Sequence, residues 1–296
     1  MDLIPADLRP HLKRLRLATR ISAQTLGFGL QTSRNRGSGL EFAQYRAYEP
    51  GDEPRLIDWK LYARSDRHYV REAERDSALR LWVVIDCSAS MGQSDQRRAD
   101  YPRLAAARIL AAALLEVALR QGDRFGLILL GDDQLQLIPA GNGVRQRDRC
   151  LLVLEQMAAR GQWPSGTQLE PMWSHTAAHD LVVLLSDDLD PAAIDLMERL
   201  SKGAREVHNI QLLCADERDF PFGQGHRFID PETGAELLTD GPAAREGFLA
   251  AFEQAQADLQ QRLRGAGVGH TAHYLDQPLQ EALLDRFGAS RRGRGG

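Results

Sequence analysis

An aspartate and two serines occupy alternate positions, Asp86, Ser88 and Ser90, directly after a mostly apolar run over residues 79–85. The run has the composition of a buried strand, so the three side chains would lie on the loop at its carboxyl end. Carboxylate and hydroxyl oxygens are the ligands that Mg²⁺ and Ca²⁺ prefer in proteins. The spacing therefore predicts a divalent-cation site, although the same residue types also cap the amino ends of helices.

The Asp-x-Ser-x-Ser pattern of residues 86–90 resembles the metal-ion-dependent adhesion site of von Willebrand factor A (vWA) domains. That resemblance implies two further loops. The stretch 164–169 contains a Gly-Thr-x-Leu sequence similar to the second loop, which makes Thr167 the expected hydroxyl ligand. The strand-like run 181–185 is followed by Ser-Asp, as in the third loop, which offers Asp187.

The three matches occur in the chain order that the vWA resemblance implies. Asp188 and Asp190 are close neighbours of Asp187, and periodicity alone does not decide which carboxylate points inward. The resemblance favours Asp187, with Asp188 as the alternative. The expected ion is Mg²⁺, or else Mn²⁺ or Ca²⁺, because all three accept oxygen ligands.

Composition limits the class of protein. The chain has 296 residues, of which 43% are hydrophobic, enough to bury a full core. We find no apolar run approaching the roughly 20 residues of a membrane helix, and the polar start over residues 1–5 is not typical of a signal peptide. These features predict a cytoplasmic protein without an integral membrane segment.

Charge and cysteine content exclude other classes. A net charge of −4 and the lack of zinc-finger, bZIP or RNP-like motifs argue against nucleic-acid binding. The three cysteines are far apart in the sequence, so neither a zinc knuckle nor a disulfide framework is indicated. Cys87, beside the first metal loop, is more typical of a small buried residue than of a reactive thiol.

From about residue 79 onward, apolar runs of strand length alternate with helical patterns. This alternation predicts an α/β fold, a vWA-like and therefore Rossmann-like, doubly wound, mostly parallel sheet with helices on both faces. Turn residues at 131–133 predict a hairpin that adds one antiparallel edge strand. The predicted strands cover 79–85, 125–130, 135–138, 181–185, 207–215 and 270–275, and the predicted helices 103–120, 147–160, 191–202, 243–264 and 279–287.

Residues 220–234 interrupt the alternation with aromatic residues beside Pro and Gly. They predict a small hairpin that either caps the sheet edge or offers a docking patch. The arginine- and glycine-rich tail, residues 289–296, is expected to be disordered.

The first 78 residues form a different region. Leucines over residues 6–21 predict an amphipathic helix that packs on the body of the protein. The segment 37–64 then contains the sequence Tyr-x-Pro-Gly-Asp, from Tyr48, and Arg-x-Ile-Asp-Trp, ending at Trp59. Ahead of a vWA-like region, this string resembles the DUF58 family. We therefore expect an amino-terminal segment, 1–78, followed by a vWA-like domain, 79–288.

The charged residues of that string alternate closely. Asp52, Arg55, Asp58 and Arg64 are spaced to form ion pairs, and Trp59 is expected to bury its ring. Two interpretations remain open, a docking surface and a structural clasp. The clasp is favoured because neighbouring acids and arginines commonly satisfy one another.

An ion held by few charged ligands keeps an open position that attracts a carboxylate. The vWA resemblance implies that an acidic residue of a partner protein fills it, so the leading hypothesis is a binding module and not an enzyme. The DUF58 resemblance implies a MoxR-type AAA+ ATPase as partner, in chaperone-like assembly or regulation.

The alternative hypothesis is a metal-dependent, phosphatase-like hydrolase using the same site. His175 and His179 have helical spacing after the second loop, but no His-Glu-x-x-His pattern accompanies them. The sequence also lacks a Walker A motif, so nucleotide hydrolysis by this chain is not indicated.

Overall fold

The computed structural model describes residues 3–17, 42–48, 57, 59–65, 67–73, 79–132, 134–164 and 166–288. The chain divides into two compact units, one made of residues 26–78 and the other of residues 1–25 and 79–296. The larger unit thus includes the amino terminus, whereas the sequence had grouped residues 1–78 together. The predicted disordered tail, 289–296, lies outside the described residues.

The smaller unit contains a two-stranded antiparallel sheet and one short helix. Strand β1 (Phe42–Ala47) pairs with β2 (Tyr69–Ala73), and helix α2 (Trp59–Ser65) lies between them in sequence. The expectation that Trp59 buries its ring is wrong, because 57% of this residue is exposed. Its ring makes edge contacts with Tyr62 and His68 instead.

The ion pairs expected in this unit involve Asp52, Arg55 and Asp58, which all lie outside the described residues. Arg64 is described and exposed. The choice between a docking surface and a clasp therefore stays a prediction.

The larger unit is built on a six-stranded sheet of order β10-β7-β6-β3-β4-β5. All strands are parallel except β5, which pairs antiparallel with β4 as the sequence predicted. The central strands are uniformly apolar because both faces of the sheet are covered. The strands are β3 (Arg80–Asp86), β4 (Arg124–Gly131), β5 (Gln134–Gly141), β6 (Leu181–Ser186), β7 (Glu206–Leu213) and β10 (Gly269–Tyr274).

Helices cover both faces of this sheet, which confirms the predicted α/β class. One hydrophobic core contains α3, α4 and α9, and the second contains α5, α6 and α8. The helices are α3 (Arg103–Gln121), α4 (Gly143–Gln156), α5 (Glu170–His175), α6 (Pro191–Lys202), α8 (Gly241–Gly265) and α9 (Leu279–Phe287). The short helix α5 was not predicted. The other five helices follow the predicted order along the chain, with α4 beginning four residues earlier than expected.

The amino-terminal helix is much shorter than predicted. Over residues 3–17 the structure has one helical turn, α1 (Arg9–Leu12), whereas the sequence predicted a helix over 6–21. The apolar positions were correct, because Leu12 and Leu15 are buried in the core beside α3. The side chain of Gln121 donates a hydrogen bond to the Leu15 carbonyl, so the segment is held in an irregular conformation.

The segment between β7 and β10 forms a short helix, α7 (Ala215–Asp219), and a hairpin of β8 (His226–Ile229) and β9 (Glu236–Thr239). The predicted hairpin is confirmed, although it extends beyond Gly234. It forms its own two-stranded sheet. Throughout the described part of the chain, no helix is both long and apolar enough to cross a membrane.

Candidate metal centre

Asp86 and Ser186 meet at the carboxyl edge of the sheet. They end the neighbouring parallel strands β3 and β6, whose register pairs Ile85 with Leu185 just before them. Since side chains alternate along a strand, both point to the same face. The Ser186 hydroxyl donates a hydrogen bond of 2.7 Å to Asp86 Oδ2. Residues 100 positions apart are thus joined at one point.

The first loop turns its hydroxyls toward each other. The Ser88 and Ser90 Oγ atoms are 3.0 Å apart, and both residues are buried. The backbone N–H of Ser88 donates to Asp86 Oδ1, which holds that carboxylate over the loop. Adjacent ligands around an octahedral Mg²⁺ at about 2.1 Å are about 3.0 Å apart, so the serine spacing fits such an ion.

Asp187 is buried in the third loop, where it pairs with an arginine. Its Oδ2 accepts a hydrogen bond of 2.8 Å from Nη1 of Arg103, which is 0% exposed. The second Arg103 terminal nitrogen lies 2.7 Å from Glu217 Oε2. Burial by itself would lower the pKa of Arg103, but the charges of Glu217 and Asp187 raise it above its ordinary value. Arg103 is therefore a permanent cation beside the candidate site.

Asp188, the alternative ligand, is also buried but points toward a different neighbour. Its Oδ2 accepts a hydrogen bond from the Asn209 side chain at 2.5 Å, whereas its Oδ1 has no partner among the described residues. Burial raises the pKa of Asp188 to about 8. Its φ of +59° is left-handed, a conformation that aspartate tolerates better than most residues. The turn thus separates the directions of Asp187 and Asp188.

Thr167 is not joined to the other predicted ligands. It lies on a single 3₁₀ turn, Gly166–Leu169, and is exposed to solvent. Within the described residues no hydrogen bond links it to Asp86, Ser88 or Ser90. The second loop does approach the first one earlier in its course, where Ala89 N–H donates to the Gly161 carbonyl at 2.9 Å. The structure thus brings together four of the five predicted residues.

The charge balance of the cluster favours a cation. Asp86, Asp187 and Asp188 are 2%, 2% and 8% exposed, and Arg103 is the only fully buried cationic side chain in the described part of the chain. Burial raises the pKa of Asp86, the charge on Asp187 raises it further, and hydrogen bonds from Ser88 and Ser186 oppose the shift. Burial thus disfavours the charged forms of Asp86 and Asp188, and a divalent ion bound beside them would stabilise those charged forms.

The fit of the cluster to a divalent cation depends on the serine hydroxyls as well as on the carboxylates. Among the described residues, no three His, Cys, Asp or Glu side chains are arranged to hold an ion by themselves. The Ser88 and Ser90 oxygens complete the donor set beside Asp86, and all of these are hard oxygen ligands. The residues therefore suit Mg²⁺, Mn²⁺ or Ca²⁺ better than a soft metal.

Neighbouring residues that could do other chemistry are poorly placed for it. Cys87 is buried, and burial together with the charge on Asp86 raises the pKa of its thiol to about 12, which keeps it protonated. His175 ends helix α5, whereas His179 lies beyond the helix with a left-handed φ of +70°. Because the helix does not continue to His179, the two histidines do not share a helix face.

Sequence reasoning missed three residues of this cluster. Ser186 was not predicted as part of the site, although it ends β6 at the position that matches Asp86 in β3. Arg103 begins an Ala- and Leu-rich helix that also contains Arg108, Glu116 and Arg120, so no sequence signal set it apart. Asn209 is one of several polar residues in β7, and its contact with Asp188 depends on the sheet order.

The family of this chain follows from a direct comparison. Residues 44–259 match the family model DUF58, described as a protein of unknown function, which is more than half of the chain. The chain therefore belongs to the DUF58 family.

Curated proteins from two mycobacteria are similar to the chain. The uncharacterized protein Rv1480 of Mycobacterium tuberculosis is 28% identical over 264 residues, covering 86% of this chain and 81% of the relative. The uncharacterized protein Mb1516 of Mycobacterium bovis matches with the same values.

Solved structures similar to the chain include BatB from Bacteroides thetaiotaomicron, at 14% identity and a TM-score of 0.44, covering 70% of this chain and 96% of that one. An aerotolerance-related membrane protein from Bacteroides fragilis has 14% identity and a TM-score of 0.43, covering 70% and 98%. The SpRpn10 VWA domain has 15% identity and a TM-score of 0.39, covering 74% and 98%. Because these scores are low, the fold is defined here by strand order and direction.

Proposed function

We propose that this chain is a metal-dependent protein-interaction module of the vWA type. The cation binds at Asp86, Ser88 and Ser90, with Thr167 and Asp187 completing the site from the second and third loops. An acidic residue of a partner protein fills the remaining coordination position. The observation that carries the proposal is the meeting of the first and third loops at one edge of the sheet.

The chemistry of the cluster supports a carboxylate as the partner group. Arg103 already neutralises Asp187 at 2.8 Å, so Asp86 supplies most of the negative charge available to the ion. A hard cation held by one strong anionic ligand and neutral hydroxyls keeps much of its positive charge. It therefore attracts an external carboxylate, the group that a protein partner provides through Asp or Glu.

We further propose that the partner is a MoxR-type AAA+ ATPase and that the chain links it to a client in the cytoplasm. This choice rests on the DUF58 resemblance of the sequence, which implies such an ATPase as partner. In this role the chain performs no hydrolysis itself. Turnover in phosphatase or esterase screens that depended on Asp187 would overturn the non-enzymatic role.

Calorimetric titration with Mg²⁺ tests the site directly. The wild-type chain is expected to bind the ion, and Asp86→Ala to lose binding because the main anionic ligand is gone. Asp132→Ala is the matched control, since this carboxylate is half exposed and pairs with Arg160 at 3.1 Å outside the cluster. An unchanged isotherm for Asp86→Ala would contradict the proposed site.

Co-purification with the ATPase tests the interaction. The complex is expected to dissociate in EDTA and to be weakened by Thr167→Ala, because both changes act on the ion. Retention of the ATPase under both conditions would show that docking does not depend on the metal.

A further inference from the structure

Arg103 joins two carboxylates that belong to different parts of the fold. Its Nη1 donates to Asp187 in the third loop at 2.8 Å, and its other terminal nitrogen contacts Glu217 of helix α7 at 2.7 Å. Nη1 also donates to the Ser90 carbonyl of the first loop at 3.1 Å. One buried guanidinium thus touches two of the proposed metal loops and the segment that follows β7.

The segment after β7, residues 214–240, is also attached to residues that follow the first loop and precede the second. The backbone N–H of Asp216 donates to Asp95 Oδ1 at 3.1 Å, and the N–H of Gln96 donates to Asp216 Oδ2 at 2.8 Å. At the tip of the hairpin, the Glu232 carbonyl accepts a longer bond of 3.4 Å from Gln162. These contacts place α7 and the hairpin beside the carboxyl edge of the sheet.

A cluster of aromatic rings connects α7 to the hairpin. Phe220, the residue that ends α7, has a left-handed φ of +45°, which is strained for an aromatic residue. Its ring packs against Phe222 and Phe228 of the hairpin segment and against Phe248 of α8. These ring contacts join the end of α7 to the hairpin segment and to α8.

The hairpin exposes three large apolar side chains. Ile229, Leu237 and Leu238 are 52%, 62% and 73% exposed. A change in the position or stability of the hairpin would therefore alter a hydrophobic surface next to the proposed metal site.

We infer that Arg103 couples occupation of the cation position to the α7–hairpin segment, residues 214–240. This inference rests on the proposed metal site. A cation bound beside Asp187 weakens the electrostatic attraction between that carboxylate and Arg103. The guanidinium then interacts more strongly with Glu217. The contact with Glu217 then holds α7, and with it the hairpin, more firmly when the ion is bound.

Hydrogen exchange of the full chain, followed by mass spectrometry with Mg²⁺ and with EDTA, tests the coupling. In the wild type we expect Mg²⁺ to slow exchange in peptides from residues 214–240 by about fivefold or more. Glu217→Gln is expected to bind Mg²⁺ while losing this response. Glu198→Gln is the matched control and is expected to keep it, because Glu198 has 20% side-chain exposure against 21% for Glu217 and pairs with Arg262 instead.

Each outcome is decisive. Slower exchange at residues 86–90 and 186–190 with no change at 214–240 overturns the coupling and leaves the proposed function standing. A full response in Glu217→Gln also overturns it. No effect of Mg²⁺ on any peptide removes the proposed site, and the coupling with it. If Glu217→Gln fails to fold, Arg103→Lys replaces it as the test variant, because lysine keeps the charge but loses the forked contact. This variant is expected to bind Mg²⁺ with a smaller change of exchange in the hairpin. An undiminished change would reject the inference.

Discussion

The predicted ligands of the first and third loops lie in the protein core, whereas Thr167 of the second loop is at the surface. Asp86 and Asp187 are each 2% exposed and are held by Ser186 and Arg103, while Thr167 is exposed. A buried charged group must be satisfied within the fold before any ion arrives, but an exposed hydroxyl is satisfied by water. Changes in the buried loops should therefore affect stability, and changes in the exposed loop only ion binding.

Removing the buried cation should have the largest effect. Arg103→Met is expected to lower the free energy of unfolding by about 3–5 kcal/mol, because it leaves buried carboxylates without their counter-charge. Urea titration in EDTA measures it. Arg262→Met is the control, since Arg262 also bridges two acids, at 2.6 Å each, but is 43% exposed. That exposed pair should contribute about 0–1 kcal/mol, and equal losses in the two variants would contradict the comparison.

A buried histidine away from the metal loops allows the effect of burial on stability to be measured separately from the effect of the carboxylate cluster. Burial lowers the pKa of His273 from 6.5 to about 4. Between these values the unfolded chain binds more protons than the folded one, so stability is lost as the pH falls from 6.5 to about 4.

The expected loss at His273 is about 2–3 kcal/mol, at 1.36 kcal/mol for each unit of pKa. Urea titration at neutral and acidic pH measures it, with His273→Gln as the control that should be less sensitive to acid. The same acid sensitivity in both chains would show that other groups cause the loss.

Deleting one buried hydroxyl should have a smaller effect on stability. Ser186→Ala removes the donor to Asp86 and the acceptor for the Asp188 N–H, at 2.7 and 3.0 Å. The expected cost is about 1–3 kcal/mol by thermal or urea unfolding, because buried polar groups lose their partners. Ser174→Ala, which removes an exposed hydroxyl bonded to the Pro171 carbonyl, should change stability by less than about 0.5 kcal/mol.

The exposed loop should show the smallest effect on stability. Thr167→Ala is expected to change the free energy of unfolding in EDTA by less than about 0.5 kcal/mol. Its Mg²⁺ affinity should nevertheless fall by about tenfold or more, since the ion loses a ligand. Thr167→Ser keeps the hydroxyl and should restore binding, whereas equal affinity in all three chains would remove Thr167 from the site.

The larger part of the fold was predictable because its elements have strong local signals. The run at 79–85 is mostly apolar, and the run at 181–185 is apolar throughout. The Ala- and Leu-rich stretch that forms α3 is followed by Gly122, whose φ of +78° ends the helix. The prediction of an amino-terminal helix was wrong because the spacing of the leucines indicates which residues are buried but does not specify the backbone conformation. Leu15 is buried by contact with α3 and α9 in a segment whose backbone is irregular.

The sequence by itself determined the residue types of the candidate site, their position after strands, and the α/β class, since these depend on local patterns of polarity. Tertiary structure alone decided which groups meet. The parallel register of β3 and β6 places Ser186 against Asp86. The packing of α3 beneath the loops brings Arg103 within hydrogen-bonding distance of Asp187. Such contacts join residues far apart in the chain, and their energies depend on burial, which no single stretch of sequence specifies.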